Sequence, residues 1–273
     1  MPTAVAGNNA TICENASATI SGASTTNGTI LWTSNGSGTL SNETTTTPIY
    51  TAAAGDAGNA VTLTMTVTSN NSCGTQTAIE TTTVNVDSLP TATAGGVQTI
   101  CQNARTTISG ANYTNGTPMW TITSGNGSLS NVNTLAPSYA AAIADAGNTV
   151  LLTMTVTSNN ACNGATATAN ETIIVNALPT ALANGSQTIC EGDAASLIDG
   201  DAAATNGTIA WTENGSGSIT SGANSLTPTY TSAVGDAGNT VVLTMTVTSN
   251  NTCGATATAL SLIHISEPTR PSQ

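Results

Sequence analysis

The sequence predicts an all-β protein of three tandem antiparallel β-sandwich domains arranged as a rod. Three observations predict it: a cysteine–tryptophan–tyrosine–cysteine pattern occurs three times in 273 residues, each copy holds one long strand that alternates apolar residues with threonine, and Asn-Gly turns separate short apolar runs. A repeat of roughly 90 residues is one small domain rather than a solenoid unit.

The long strand is the strongest element of each repeat. Residues 61–68 read Val-Thr-Leu-Thr-Met-Thr-Val-Thr, and residues 150–157 and 241–248 repeat the pattern. A period of two places the apolar side chains on one face, as in a strand half buried against a core. The β-branched residues and the missing 3.6-residue period argue against a helix.

Turn signals divide the rest of each repeat. Asn-Gly is the preferred pair of a type I′ hairpin, and it occurs at 27–28, 115–116 and 206–207. A short tryptophan-bearing strand follows each pair. About seven short strands with a turn every 8–12 residues are typical of a β-sandwich.

The repeats give the domain boundaries. We expect domains at 1–89, 90–178 and 179–259, the third lacking its native last strand, and a tail at 260–273. Each joint is short and contains a proline, which restricts bending. Three such domains predict a rod on the order of 100 Å long.

Each repeat carries two of the six cysteines at matching places. Because every repeat holds one pair, we expect disulfides within the domains. Such bonds place the protein in an oxidising compartment, extracellular or at the cell surface. The predicted pairs are Cys13–Cys73, Cys101–Cys162 and Cys190–Cys253.

Composition excludes several classes of partner. The chain has 2 Lys and Arg against 14 Asp and Glu, a net charge of −12. Without a basic surface we expect no nucleic-acid partner, and without an apolar run of about 18 residues no membrane insertion. The density of threonine, serine and asparagine accounts for solubility.

Catalytic constellations are missing from the sequence. The one histidine, His264, lies in the tail, and the chain has no lysine. A histidine-based triad, a Schiff base and a histidine-bound metal are therefore not available. We expect neither an enzyme nor a cofactor.

An aspartate recurs in an Asp-Ala-Gly-Asn turn of each repeat. Two interpretations stay open: a calcium ligand, since hard cations prefer oxygen ligands, or a turn in which the carboxylate binds its own backbone. One carboxylate per turn favours the second. The residues are Asp56, Asp145 and Asp236.

The recurring aromatic residues also have two interpretations. Tryptophans on strands can stack on sugars, but in a small sandwich they usually anchor the core. Aromatics make up 3% of the chain, so we expect them inside. The predicted core anchors are Trp32, Trp120, Trp211, Tyr50, Tyr139 and Tyr230.

Taken together, these motifs resemble the PKD-like and Ig-like tandem repeats of secreted surface adhesins of the Bacteroidetes type. The resemblance rests on Thr-Ile-Cys, a central tryptophan, Pro-x-Tyr before the aspartate turn, the long strand and a late Cys-Gly, and it covers nearly all of residues 1–259. The Trp-Asp-Phe-Gly-Asp-Gly run of PKD domains is replaced here by Trp32 followed by Thr-Ser-Asn-Gly-Ser-Gly. The resemblance implies an exported stalk or adhesive fibre.

The tail departs from the repeat. From about Leu260 the sequence resembles translated sequencing adapter, as at the end of a metagenomic reading frame, and we expect it not to be natural sequence. Met1-Pro2-Thr3 matches both internal joints, so we expect a fragment of a longer array. By chance Ile263 and Ile265 fall where the last strand has apolar residues.

The sequence thus predicts a non-catalytic, extracellular structural or adhesive stalk segment of a larger repetitive surface protein. Its partners are expected to be an unknown surface ligand or neighbouring copies of the same protein. Three alternatives stay open: an array of glycan-binding modules, an accessory region of a secreted enzyme, and a subunit of a self-assembling surface fibre.

Overall fold

The computed structural model describes residues 1–72, 74–196 and 201–267. Within these ranges the chain forms three successive domains of nine strands and one 3₁₀ turn each. The first domain comprises β1 (Thr3–Val5), β2 (Ala10–Cys13), β3 (Ser17–Thr19), β4 (Ser24–Thr26), β5 (Gly28–Ser34), β6 (Thr39–Ser41), β7 (Ile49–Thr51), a 3₁₀ turn (Ala54–Asp56), β8 (Ala60–Ser69) and β9 (Thr77–Asp87).

The second and third domains repeat this order. The second comprises β10 (Thr91–Thr93), β11 (Val97–Cys101), β12 (Arg105–Thr107), β13 (Asn112–Thr114), β14 (Gly116–Ser124), β15 (Ser128–Ser130), β16 (Ser138–Ala140), a 3₁₀ turn (Ile143–Asp145), β17 (Thr149–Ser158) and β18 (Thr166–Asn176). The third comprises β19 (Thr180–Ala183), β20 (Ser186–Cys190), β21 (Ala194–Ser196), β22 (Ala202–Thr205), β23 (Gly207–Glu213), β24 (Ser218–Ser221), β25 (Thr229–Thr231), a 3₁₀ turn (Val234–Asp236), β26 (Thr240–Ser249) and β27 (Thr256–Ser266).

Each domain is a sandwich of a four-stranded and a three-stranded sheet, with a two-stranded ribbon beside them. In the first domain the orders are β2-β9-β8-β5, β3-β7-β6 and β1-β4, and the other domains follow the same scheme. The predicted tandem Ig-like sandwich is therefore confirmed. One pairing differs from the expected antiparallel pattern, because the first strand of each large sheet runs parallel to the last, as β2 does to β9.

The long strand supplies the centre of each core. Val61, Leu63, Met65 and Val67 of β8 are at most 2% exposed, while the threonines between them are partly exposed on the outer face. Their burial accounts for the strand, since an alternating pattern has only one face that packs against the opposite sheet. The equivalent residues of β17 and β26 are buried in the same way.

The Asn-Gly pairs mark turns, but the predicted hairpins are wrong. The strands on either side of each pair belong to different sheets: β4 pairs with β1, whereas β5 pairs with β8. Asn27, Asn115 and Asn206 have φ of 58°, 55° and 59°, the left-handed region that asparagine tolerates. A side chain on Gly28 would lie 2.6 Å from the carbonyl oxygen of Thr68, so the neighbouring strand requires glycine there.

The third domain extends past the boundary expected from the sequence. Residues 260–266, part of the tail that the sequence predicts, belong to β27, which pairs with both β20 and β26. Ile263 and Ile265 are each 2% exposed and belong to the third core. The expected boundary at 259 marks a change in the sequence, and alternation alone lets the residues after it complete the sheet. Residues 268–273 lie outside the described ranges, and no described helix is long and apolar enough to cross a membrane.

One buried acid breaks the symmetry of the repeats. Glu171 of β18 is fully buried and accepts a hydrogen bond from Gly96 N, but its Oε1 has no partner. The equivalent residues Thr82 and Ser261 donate to backbone carbonyls instead. Burial raises the pKa of Glu171 and outweighs the hydrogen bonds that its carboxylate accepts.

We expect Glu171→Gln to change how stability depends on pH. Since the folded-state pKa of Glu171 is raised, ionisation disfavours the folded state as pH rises through and above the ordinary carboxyl range near 4.5. The unfolding free energy of the variant, relative to that of the parent chain, should therefore increase as pH rises from about 4 to neutrality. Chemical denaturation across this pH range measures the difference, and Glu80→Gln, an exposed glutamate of β9, is the matched control. A pH-independent difference would contradict the assignment.

Candidate functional site at the domain joints

The structure places the recurring tryptophans inside the cores. Trp32, Trp120 and Trp211 are 1%, 1% and 5% exposed. Each indole N–H donates to a backbone carbonyl of its own domain, at 2.8–3.1 Å. No tryptophan face is open to a ligand, so these side chains do not form the groove that a glycan-binding module needs.

The recurring tyrosines and aspartates form one buried hydrogen-bonded unit in each domain. In the second domain the Tyr139 hydroxyl donates to Asp145 Oδ2 at 2.7 Å and accepts from Gly127 N at 3.1 Å. Asp145 also accepts from the backbone N–H groups of Ala142 and Asn126 at 2.8 and 2.7 Å. The Tyr50–Asp56 and Tyr230–Asp236 pairs have the same 2.7 Å contact.

Hydrogen bonding decides the ionisation of this unit. Burial by itself would raise the pKa of Asp145, but hydrogen bonds from the Tyr139 hydroxyl and from backbone N–H groups outweigh it and lower the pKa. Burial, together with the hydrogen bond to Asp145, raises the pKa of Tyr139 to about 12. The unit therefore consists of a carboxylate and a neutral phenol over a wide pH range.

These contacts support the backbone-turn interpretation of the three aspartates over the calcium interpretation. Both carboxylate oxygens of Asp56, Asp145 and Asp236 are bound to N–H and O–H donors, which point hydrogen atoms where a cation would have to lie. Among the described residues no group of three or more histidine, cysteine, aspartate or glutamate side chains could hold a metal ion.

The disulfides join neighbouring domains. Cys13 of the first domain is bonded to Cys162 of the second, with Cα atoms 4.6 Å apart. Cys101 of the second is bonded to Cys253 of the third, at 5.7 Å. The three predicted pairings within domains are therefore wrong. Cys190 is free and exposed, and Cys73 lies outside the described residues.

The reason, seen in the second and third domains, is that the two cysteines of a domain lie at opposite ends of its large sheet. Cys101 pairs with Asn176, the last residue of β18, whereas Cys162 follows β17 in the loop that leads into the start of β18. Eleven residues of β18 separate these ends, about 30 Å at ~3.3 Å per residue. A disulfide requires Cα atoms within about 7 Å, so a bond within the domain cannot form.

The loop that carries the later cysteine fits onto the end of the preceding domain. At the first joint Asn160 Nδ2 donates to the carbonyl oxygen of Ser88 at 2.9 Å, and Ala161 N donates to Asp87 Oδ2 at 2.8 Å. The loop is held from within, since Asn160 Oδ1 accepts from Ser158 Oγ and Cys162 N at 2.7 and 2.9 Å.

The second joint repeats this arrangement. Asn251 Nδ2 donates to the carbonyl oxygen of Ala177 at 2.8 Å, and Asn251 Oδ1 accepts from Ser249 Oγ and Cys253 N at 2.7 and 3.0 Å. The side chain of Asn176 reaches Thr252 Oγ1 at 3.1 Å. Both joints therefore share the same hydrogen bonds within the cysteine loop and from that loop to the preceding domain.

The asparagines of the Asn-Gly pairs donate hydrogen bonds to the linkers. Asn115 Nδ2 donates to the carbonyl oxygen of Leu89, and Asn206 Nδ2 donates to that of Leu178, both at 3.0 Å. The linker prolines Pro90 and Pro179 are buried. Three kinds of contact therefore restrain each joint: the disulfide, the hydrogen bond from the loop that carries the later cysteine, and the hydrogen bond from the Asn-Gly asparagine to the linker.

Sequence reasoning missed the Ser-Asn-Asn-x-Cys motif. It precedes every later cysteine, at 69–73, 158–162 and 249–253. The motif could have been recognised, because a repeated asparagine pair beside a cysteine indicates a loop that is fixed by side-chain hydrogen bonds. Its contact with the preceding domain could not be inferred from the spacing.

No protein-family model and no curated protein matches this sequence. Among solved structures, the I67–I69 fragment of the titin I-band aligns over 97% of this chain and 98% of the fragment, with a TM-score of 0.57 and 12% identity. Mouse cadherin-23 EC22-24 aligns over 98% and 99%, with a TM-score of 0.52 and 13% identity. The protocadherin GammaB4 extracellular domain aligns over 97% and 49%, with a TM-score of 0.50 and 14% identity. At such identities the likeness shows the fold.

We expect Tyr139→Phe to lower the unfolding free energy of the second domain by about 1–3 kcal/mol, because it leaves buried groups of Asp145 and Gly127 without their partner. Since the pKa of Asp145 is lowered in the folded state, this loss should be full above the ordinary carboxyl pKa of 3.8 and shrink as pH falls below it. Denaturation at several pH values checks it. Tyr113→Phe is the control, because the Tyr113 hydroxyl makes no hydrogen bond within the described ranges. An equal loss of stability in Tyr113→Phe would contradict the role assigned to the hydrogen bonds of Tyr139.

We expect Asn160→Asp to make the Cys13–Cys162 bond about fivefold easier to reduce, since it removes the donor to Ser88 O, worth about 1 kcal/mol. The redox equilibrium with dithiothreitol, followed by alkylation and mass mapping, measures the change. Asn159→Asp adds the same charge one residue away at an exposed position and should leave the equilibrium unchanged. Equal shifts in both variants would mean that charge, not the contact, is responsible.

Proposed function

We propose that this chain is a non-catalytic structural segment of an extracellular or cell-surface protein: a stalk whose domains are locked end to end by disulfides. The observation that carries the proposal is that both described disulfides cross a joint. A bond inside a domain stabilises that domain, whereas a bond across a joint restrains how two domains move and separate. Locked joints suit a part that must hold its length.

The two bonds form a second covalent path beside the polypeptide. A load applied at the chain termini passes from Cys13 directly to Cys162, and from Cys101 directly to Cys253. The shortest covalent route therefore uses only residues 1–13, 101–162 and 253–273, roughly a third of the chain. At ~3.4 Å per residue, the fully stretched chain would reach about 330 Å instead of about 930 Å.

The same bonds support an oxidising location. Each closes a loop of about 150 residues, 149 and 152 in sequence separation, and the chain-entropy model assigns about 5 kcal/mol to a loop of this length. Because the loops overlap, neighbouring domains share this stabilisation. A protein that relies on such bonds belongs outside the reducing cytosol, at the cell surface or beyond it.

The resemblance to repeats of Bacteroidetes-type adhesins supports a bacterial surface stalk as the finer assignment. The structural neighbours are consistent with it, since titin I-band and cadherin fragments are also arrays of sandwich domains. Buried tryptophans remove the main support for an array of glycan-binding modules. Neighbouring copies of this chain and a surface ligand are the partners that a stalk would meet.

Single-molecule stretching tests the proposal. We expect the oxidised chain, pulled from its termini, to reach about a third of the contour length of the reduced chain, because both loops are closed. The double variant Cys13→Ser/Cys162→Ser should give an intermediate length, since its shortest route uses residues 1–101 and 253–273.

The control is the double variant Cys73→Ser/Cys190→Ser, which keeps both cross-joint bonds and should match the oxidised parent. Equal contour lengths with and without reductant would disprove the locked stalk. So would small-angle scattering in which the domains of the oxidised chain move as freely as those of the reduced chain.

A further inference from the structure

A groove opens beside the Asn115–Gly116 turn of the second domain. The strands on either side of this turn belong to different sheets, since β13 pairs with β10 and β14 pairs with β17. They diverge from the turn and leave between them a groove of about 460 Å³ that is open to solvent. Asn115 Nδ2 donates to the carbonyl oxygen of Leu89, so the turn is fixed to the joint. The volume of the groove lies within the range of small-molecule sites in proteins.

An aromatic ring and two apolar side chains form one part of the lining. Tyr113 is half-buried against the core of the second domain, and its hydroxyl has no hydrogen-bond partner among the described residues. Pro118 and Met119 of β14 complete the apolar part, and Met119 is 55% exposed. Tyr113 is the one tyrosine outside the repeated pattern. At its place in the ribbon the first domain has Thr25 and the third has Ala204.

Neutral polar groups form the other part of the lining. They are the amide of Asn133 and the hydroxyls of Thr117 and Thr157, all on exposed residues. None of these three side chains is hydrogen-bonded to another residue in the described part of the chain. An amide and a hydroxyl can each donate and accept, so the groove offers several free donors and acceptors. The residues that line it, all of them described, include no charged side chain.

The third domain has a groove at the same place, but without these features. Its lining includes Asn224, which like Asn133 directly precedes the residue whose carbonyl accepts from the tryptophan indole. With its amide oriented by its neighbours, Asn224 Nδ2 donates to the carbonyl oxygens of Ile209 and Ala223, both at 3.2 Å. The amide is thus bound within its own domain, and Ala204 supplies no ring. Of the two grooves, that of the second domain alone combines an aromatic ring with a free amide.

We propose that the groove of the second domain binds a neutral oligosaccharide of hexopyranose units, with the Tyr113 ring against one sugar and the Asn133 amide bonded to sugar hydroxyls. One face of a pyranose consists of C–H groups that pack on an aromatic ring, and its edge carries hydroxyls that need neutral donors and acceptors. Phosphate, sulfate and carboxylate ligands are disfavoured, because no cation in the lining would compensate their desolvation and the chain carries a net charge of −12. The proposal goes beyond the stalk function, and it assigns one site to one domain rather than an array.

The test begins with a glycan microarray that carries neutral glucans, mannans and galactans beside sialylated and sulfated oligosaccharides. We expect the full chain to be retained on neutral glycans and not on the charged ones. Titration calorimetry with the neutral oligosaccharide that retains the chain most strongly then measures the affinity. This affinity should be the same at low and high salt, because no ion pair forms in the complex.

Variants separate the role of the ring from that of the amide. Tyr113→Ala should weaken binding about tenfold because the stacking surface is lost, whereas Tyr113→Phe keeps the ring and should bind within about threefold of the parent chain. Asn133→Ala should weaken binding about fivefold, the factor that one hydrogen bond contributes. Asn133 is exposed, so this change should leave thermal unfolding as it is. Asn224→Ala, at the same place in the third domain, is the matched control and should not change the affinity.

Four results would overturn the proposal: a chain that no neutral glycan retains, retention by charged glycans only, a Tyr113→Ala variant that binds like the parent chain, or an equal loss of affinity in Asn224→Ala and Asn133→Ala. None of these outcomes alters the cross-joint bonds that the stretching experiment measures. Failure of the sugar site would therefore leave the proposed stalk function standing, and failure of the stalk would leave the sugar site to be judged by its own affinities.

Discussion

The distance between the two ends of the large sheet is the constraint on which the rest of this molecule depends. In each domain the strand with the early cysteine runs parallel to the last strand and ends beside its final residue, as Cys13 does beside Asp87. In the second and third domains the loop with the later cysteine lies at the other end of that last strand. Two thiols about 30 Å apart cannot form a bond within one domain, so the disulfides form between neighbouring domains.

This arrangement works only if each domain holds its two ends at a fixed separation. The buried Tyr–Asp unit ties the turn before the long strand to the opposite sheet, and the tryptophan and the apolar face of the long strand fill the space between the sheets. A domain of about 90 residues has a modest core, so a few such contacts represent a large part of its stability. Cross-joint bonds add stability that neighbouring domains share.

Asparagine performs several tasks that charged residues perform elsewhere. In a chain with 6% charged residues, asparagine adopts the left-handed backbone at the turns between the ribbon and the large sheet. Its side chain also donates hydrogen bonds to the linkers and from the cysteine loop to the preceding domain. An amide can donate and accept at once without the desolvation cost of a charge, which suits half-buried joints. The two joints resemble one another because each uses the same residues at the same places.

Several features followed from the sequence alone. The alternation at residues 61–68 determined a strand and its buried face, and the scarcity of aromatic residues indicated that the tryptophans lie inside. The Asn-Gly pairs indicated turns but not which strands pair around them. The cysteine partners did not follow, because two cysteines per repeat allow bonds within domains and bonds between neighbours equally well. Only the tertiary structure decided between them: the parallel pairing that places Cys101 beside Asn176 joins residues 75 positions apart, and no local pattern encodes it. The same long-range pairing made residues 260–266 part of the third sheet and buried Glu171 where the other domains have a hydroxyl.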